Sequence, residues 1–318
     1  SLCAPALVSP DPYQYVADAM LGKASYQPPS VRLPGEFGVI NDALGTPMPP
    51  SLYGPLWMAI VAAVTSAAAG LLGKILLLRW FGVVMLLALL AGLRVLALPG
   101  RVLAVTAMNP AVAFLYVANA HNDLFCVTCV VWAAAIVGRS RALAVAAIVA
   151  AALVKLPFAL LGIPALSHVA PASHRWTLAA ITVASAVALS WLGGGRAYAA
   201  ALSLNHPYTT AFDAAAVVAT ICALALLAST LASNRRLATG VWLMPLMASY
   251  PRPWYGLWGI PYALRSRRVL GYLLVFMPFA SALTDTMFVQ FWTIYFVVPL
   301  VAVLSVTHRL SSAKAVPT

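Results

Sequence analysis

The sequence predicts an all-α fold, a polytopic membrane helix bundle of about eight to ten spans with additional re-entrant half-helices. Hydrophobic residues make up 63% of the 318 residues and charged residues only 8%. A soluble globular chain is roughly 25% charged, so this chain cannot cover a water-facing surface. The apolar residues form long runs instead of alternating strands of about ten residues, which argues against an outer-membrane barrel.

The basic residues predict the orientation of the bundle. The chain has a net charge of +12, and its 19 Lys and Arg residues are scattered between apolar segments. This pattern is typical of the positive-inside rule and does not indicate a nucleic-acid partner. The cytoplasmic turns are expected at Arg139 and Arg141, Arg235 and Arg236, Arg265, Arg267 and Arg268, and Arg309 with Lys314.

Residues 1–52 differ from the rest of the chain in composition. They contain four of the seven acidic residues and many prolines. We interpret them as an external loop with one short amphipathic helix, PYQYVADAML, lying at the membrane surface. Residues 53–310 are then the transmembrane helical domain, and residues 311–318 are a cytoplasmic tail.

Apolar segments follow one another almost without interruption after Leu52, and several are shorter than a full span. Because Asn109-Pro110 interrupts the segment 102–118, this segment is expected to be re-entrant. A second half-helix is expected after Lys155-Leu156-Pro157. The predicted segments are 53–73, 74–98, 102–118, 123–138, 142–166, 177–194, 209–232, 237–250, 254–264, 269–283 and 286–306.

The external loop carries the first group of candidate residues, Asp11, Tyr13 and Tyr15. A carboxylate beside two tyrosines can accept a proton from a sugar hydroxyl. The alternative is structural, with Asp11 as the N-cap residue of a helix and Pro12 at its first helical position. Tyr53 and Trp57, which lead into the first apolar segment, are either part of the site or an interfacial anchor.

Polar residues also stand between apolar segments. Asn109 and the run from Asn119 through His121 and Asn122 to Asp123 either line a polar cavity or cap the next helix. These residues are too few for a metal site. The one cofactor they could accommodate is a divalent cation, Mg or Mn, held partly by a substrate phosphate.

Two cations complete the candidate set. Lys155 lies in an apolar segment, and Arg252 lies in an external turn beside Trp254 and Tyr255. A lipid phosphate would suit both cations, and the aromatic rings could stack on a sugar or an isoprenoid chain. The alternatives are a snorkelling lysine and an aromatic belt at the membrane interface.

Taken in order, these motifs resemble those of the polytopic glycosyltransferases of the GT-C class. The likeness is to bacterial polyprenol-phosphate-dependent mannosyltransferases of the alpha-1,6 type, and it covers roughly residues 9–264. The matching elements are Asp11, Tyr13 and Tyr15; Tyr53 to Leu56; Asn109-Pro110; His121 to Asp123; Val154 to Pro157; and Pro253 to Gly259.

The resemblance implies an inverting transfer of mannose or another hexose from a polyprenyl-phosphate donor to a glycan or lipid acceptor in the cell envelope. The site would lie on the external face of the bacterial plasma membrane, among membrane lipids. Asp11 would be the general base and Asp123 a second acid, while Lys155 and Arg252 would face the donor phosphate. The remaining candidates would bind substrate: Tyr13, Tyr15, Tyr53, His121, Asn122, Trp254 and Tyr255.

The main alternative is a membrane transporter or lipid flippase without transferase activity, which would also place charges and broken helices around a cavity. The sequence shows no internal repeat of the kind many transporters have, and its acidic residues are expected on one side. The resemblance also implies a membrane helix before the first external loop. No such helix precedes Asp11, so we expect the chain to be incomplete.

Overall fold

The structure, a computed structural model, describes residues 9–110, 112–167 and 172–204, and also residues 221, 224–225, 227–228 and 258. The chain divides into two units, Ser1–His206 and Pro207–Thr318, and every contact reported below lies within the first. The three long described ranges are helical and contain no strand. The predicted helical class is therefore confirmed for them, whereas the segments predicted after residue 204 lie outside the described ranges.

The N-terminal loop contains two helices, α1 (Asp11–Leu21) and α2 (Gly38–Leu44), and 3₁₀ turns at Gly22–Tyr26 and Gly35–Phe37. The predicted amphipathic helix is α1. Its buried face packs against the first apolar helix, α3 (Pro55–Thr65). The remaining helices are α4 (Leu71–Val95), α5 (Gly100–Ala107), a π-helical segment Val112–Ala118, α6 (Asp123–Ile136), α7 (Arg141–Val154), α8 (Phe158–Leu161), α9 (Ile163–Ser167) and α10 (Ala172–Leu204).

Two of these helices are long and apolar enough to cross a membrane, α4 and the Ser173–Ser203 part of α10. At 1.5 Å per residue, the 25 residues of α4 span about 37 Å, more than the roughly 30 Å of a hydrocarbon core. In α10 the helical backbone is interrupted at Gly195, where φ is 61°. These two helices make the chain a membrane protein by length and composition.

The first apolar segment is shorter in the structure than predicted. The prediction was one segment over 53–73, but α3 has 11 residues and is about 17 Å long. A turn of small residues, Ser-Ala-Ala-Ala-Gly at 66–70, separates α3 from α4. The Glu36 carboxylate of the loop accepts the Leu71 N–H at 3.3 Å, so the loop caps the N-terminus of α4.

Two predicted breaks occur at their expected positions. The α5 helix and the segment Val112–Ala118 meet at a bend of 60°, with Asn109 and Pro110 between them. A bend of this size occurs both in a broken membrane span and in a re-entrant loop, so it agrees with the predicted break and does not distinguish the two. Similarly, α7 ends at Val154, and the short helices α8 and α9 follow directly after Pro157. Non-helical backbone of this kind is tolerated at membrane depth where protein surrounds it.

The α6 helix packs against both α4 and α7. Hydrogen bonds support the close α4–α6 contact: Thr128 and Trp132 donate to carbonyl groups of α4 at 3.2 and 2.9 Å. Arg79 of α4 is buried and donates its Nε–H to the Ala118 carbonyl at 2.8 Å. This bond holds the end of the π-helical segment just before the residues predicted to be functional.

Candidate active site

Asp11 lies at the start of α1 and faces the His-Asn-Asp motif. Its Oδ2 is 2.9 Å from Nδ1 of His121. The His121 side chain is fully buried, whereas 20% of the Asp11 side chain is exposed. Pro10 holds the N-cap position and Asp11 follows as the first helical residue, so the interpretation of Asp11 as the cap residue is wrong. The Asp11 N–H donates instead to Ser9 Oγ at 3.2 Å.

The surroundings of Asp11 keep its carboxyl group ionised. Burial acts to raise the pKa of this carboxyl. The charge and hydrogen bond of His121 oppose that effect, together with the hydrogen bond to Ser9 and the charge of Lys155. The net result holds the pKa of Asp11 well below its usual range. Asp11 therefore carries a negative charge at neutral pH and can accept a proton.

Tyr15 connects Asp11 to the core of the site. Its hydroxyl lies 3.4 Å from Asp11 Oδ2 and 3.4 Å from the N–H of Asn122, which is 107 positions away in the chain. Burial, followed by the nearby phenol and acidic groups, raises the pKa of Tyr15 well above its usual value. The side chain therefore stays a neutral phenol that can donate to Asp11.

The Tyr15 ring packs edge-on against two aromatic rings of the next motif. The ring centroids lie 4.9 Å from Tyr53 and 5.0 Å from Trp57. Trp57 is buried at 1% exposure, which contradicts its alternative interpretation as an interfacial anchor. Tyr53 is half-buried, as is Tyr13, so both remain partly accessible beside Asp11 and Tyr15.

A second ion pair lies at the start of α6. Nζ of Lys155 is 2.8 Å from Oδ1 of Asp123, and their side chains are 13% and 0% exposed. Asp123 is the first residue of α6, where the helix dipole favours a negative charge. Lys155 follows the last residue of α7 in an extended conformation, which directs the chain away from the helix. The contact with Asp123 argues against simple snorkelling of Lys155.

The Tyr-Gly-Pro-Leu motif attaches the N-terminal loop to the end of α7. The Gly54 N–H donates to the Val154 carbonyl at 2.9 Å. A β-carbon on Gly54 would overlap the backbone of Leu153, so this close approach requires glycine. Pro55 then begins α3, a position where proline is favoured. The motif therefore places the loop directly beside Lys155.

The segment before α6 contains buried polar groups. Ala120 has a φ of 49°, in the left-handed region that non-glycine residues rarely adopt, and this reverses the chain between Asn119 and His121. Asn122 holds the N-cap position of α6, but its side chain makes no cap hydrogen bond. Neither amide atom of Asn122 has a hydrogen-bond partner among the described residues, and the residue is 1% exposed. Such a group costs about 1–3 kcal/mol, and the Asn122 side chain does not cap α6 although the residue holds the cap position.

Sequence reasoning missed two buried ionisable residues near the site. Asp18 of α1 bonds Gln14 at 2.8 Å and Ser51 at 2.7 Å and is 1% exposed. The i, i+4 spacing of Gln14 and Asp18 was a usable signal. Arg79 was the other omission, although a charge inside a long apolar run is by default a functional candidate.

Three of the predicted site residues lie outside the described residues: Arg252, Trp254 and Tyr255. Among the described residues, no three His, Cys, Asp or Glu side chains come close enough to hold a metal ion together.

A comparison with known protein families identifies the family of this chain. The model of the alpha-(1→6)-mannopyranosyltransferase N-terminal domain matches residues 1–173, more than half of the 318-residue chain. Both ion pairs of the site lie within the match. Comparison with curated proteins and with solved structures gave no match. The chain belongs to the alpha-(1→6)-mannopyranosyltransferase family and is a membrane glycosyltransferase.

Proposed function

We propose that this protein transfers mannose from a polyprenyl-phosphate donor to a glycan or lipid acceptor on the external face of the bacterial plasma membrane, with inversion at the anomeric carbon. The observation that carries the proposal is the meeting of Asp11 with His121, next to the Lys155–Asp123 pair. An accessible carboxylate and a nearby cation are the two groups that such a transfer needs.

In this proposal Asp11 is the general base. It is ionised and partly exposed, so an acceptor hydroxyl can reach it. A carboxylate with a low pKa is a weak base in the ground state. The acceptor hydroxyl becomes much more acidic as its oxygen bonds the anomeric carbon, so proton transfer to Asp11 occurs late in the reaction. His121 and Tyr15 contact the Asp11 carboxylate and hold it in a fixed orientation.

Lys155 is proposed to face the donor phosphate, with Arg252 as a second cation. The leaving group is a phosphate whose negative charge increases as the sugar departs, and a preorganised cation stabilises that charge. Asp123 holds Lys155 in place as the second acid of the site. Tyr13 and Tyr53 are accessible enough to contact the sugar, as Trp254 and Tyr255 are expected to do. The buried amide of Asn122 would bond a sugar hydroxyl.

The test is mannose transfer by the purified chain in detergent or nanodiscs, from radiolabelled polyprenyl-phosphate-mannose to glycan and lipid acceptors. Glucose and arabinose donors are run in parallel. We expect Asp11→Asn to insert normally and to lose about 10²- to 10⁴-fold in rate, the usual contribution of a general base. The product should have the anomeric configuration opposite to that of the donor.

The matched control is Asp42→Asn. Asp42 lies in the same loop but is 60% exposed and pairs with Arg32 on the surface, so its removal should leave transfer unchanged. Full activity in Asp11→Asn would overturn the general-base assignment. Absence of transfer from every polyprenyl-phosphate donor by a folded chain would overturn the choice of donor.

A further inference from the structure

One buried carboxylate near the site has no role in the transfer as proposed. Asp18 is 1% exposed and lies two turns after Asp11 on α1. Its Oδ1 accepts the Gln14 amide at 2.8 Å, and its Oδ2 lies 2.7 Å from the Ser51 hydroxyl. No ion pair involves Asp18 within the described ranges. A buried carboxylate without a cation is expensive when ionised and stable when protonated.

The hydrogen bonds of Asp18 join two chain segments that lie beside the site. Gln14 also reaches the Pro49 carbonyl at 3.5 Å. Ser51 accepts the Tyr53 N–H through its hydroxyl oxygen at 3.3 Å and donates its own N–H to the Ser25 carbonyl at 2.9 Å. One segment is α1, and the other is residues 49–53, which lead directly into the glycine contact with α7.

We propose that Asp18 is a positioning residue of the transferase: its neutral carboxyl group clamps α1 to residues 49–53, holds Asp11 and Tyr15 beside Tyr53, and releases this clamp when it ionises. The proposal rests on the transferase function proposed above. In the neutral state the carboxyl can donate to Ser51 while it accepts from Gln14. In the ionised state the carboxylate is a second negative charge near Asp11 and is costly to keep buried. Separation of α1 from residues 49–53 would let water reach this charge and would remove that cost.

The groups that face Asp18 support titration in the physiological range. Two of these groups lie on the same helix, namely the Gln14 amide and the negatively charged Asp11. Residues 49–53 contribute the Ser51 hydroxyl, and the 3₁₀ turn after α1 contributes the Tyr26 phenol. Burial raises the pKa of Asp18 to about 7, against the smaller lowering effects of Ser51 and Gln14.

The experiment compares the pH profile of mannose transfer for the wild type with that of Asp18→Asn. Asparagine keeps the shape and both hydrogen bonds but stays neutral. If the rate follows the neutral fraction of Asp18, wild-type transfer falls about fifteenfold between pH 7 and pH 8.5. Asp18→Asn should retain activity near pH 6.5 and lack this decline. Asp42→Asn, at an exposed carboxylate of the same loop, should follow the wild type.

A second measurement needs no substrate and so separates this proposal from the proposed reaction. Hydrogen exchange of residues 9–53, corrected for the intrinsic effect of pH, should show less protection at pH 8.5 than at pH 6.5 in the wild type. Asp18→Asn should show equal protection at both values. Loss of wild-type protection at pH 8.5 without transfer from any polyprenyl-phosphate donor would support the clamp and overturn the proposed donor. Coincident exchange behaviour in the wild type and Asp18→Asn would refute the clamp.

Discussion

The buried Lys155–Asp123 pair makes a quantitative prediction about stability. The two charged atoms are 2.8 Å apart, and their side chains are 13% and 0% exposed. Two unit charges about 4 Å apart attract by about 4 kcal/mol at an effective dielectric of about 20. Desolvation offsets much of that gain while the pair is intact. Removing one partner leaves the other charge buried and uncompensated, which typically costs about 3–5 kcal/mol.

Lys155→Met should therefore destabilise the protein by about 3–5 kcal/mol, because Asp123 has no route to water. Asp123→Asn should cost less, since the partly exposed lysine can reach solvent. The double variant Lys155→Met/Asp123→Asn should recover at least about 2 kcal/mol of the summed losses. The assay is thermal unfolding in detergent, where about 3 °C per kcal/mol puts Lys155→Met roughly 10 °C below the wild type. Losses that simply add in the double variant would refute the coupling.

Three further predictions concern the surroundings of this pair. Gly54→Ala should lower the unfolding temperature sharply or prevent accumulation, since its β-carbon would overlap backbone; Gly100→Ala, at an open helical position, should be close to neutral. Asn122→Ala should leave the unfolding temperature unchanged or raise it, because it removes unpartnered buried polar atoms, while steady-state kinetics show weaker transfer. His121→Asn should raise the pKa of Asp11, whose lowering depends on that imidazole. The stability that ionised Asp11 provides is lost as pH falls below its unfolded pKa of 3.8, so acid unfolding titrations should show a smaller loss in this variant.

The sequence predicted which motifs meet because their chemistry is unusual for their setting. Carboxylates and a histidine between apolar segments have few alternatives to a shared polar site, and Asp11, His121, Asp123 and Lys155 do lie in two neighbouring ion pairs. The break after Asn109 was also predictable, since proline cannot continue a helical hydrogen-bond ladder.

Other features depend on tertiary contacts that no local pattern reports. Asp18 and Ser51 are 33 positions apart and meet only because the loop folds back on α1. The early end of α3 was hidden because small apolar residues at 66–70 continue the hydropathy of the helix while forming a turn. The role of His121 likewise depends on its burial, which the sequence does not report. Its side chain is fully buried, so it is placed to support Asp11 and not to contact substrate.

The contact between α1 and the start of α6 has a consequence for how the protein is made. Tyr15 and Asn122 are 107 positions apart, so at about 5–20 residues per second the ribosome needs about 5–20 seconds to synthesise the chain between them. During that time Asp11 is present without the imidazole that later faces it. Lys155 is made later still, after α7. A nascent chain arrested before His121 therefore carries every residue of the N-terminal loop, yet it lacks a partner residue of each ion pair that defines the site.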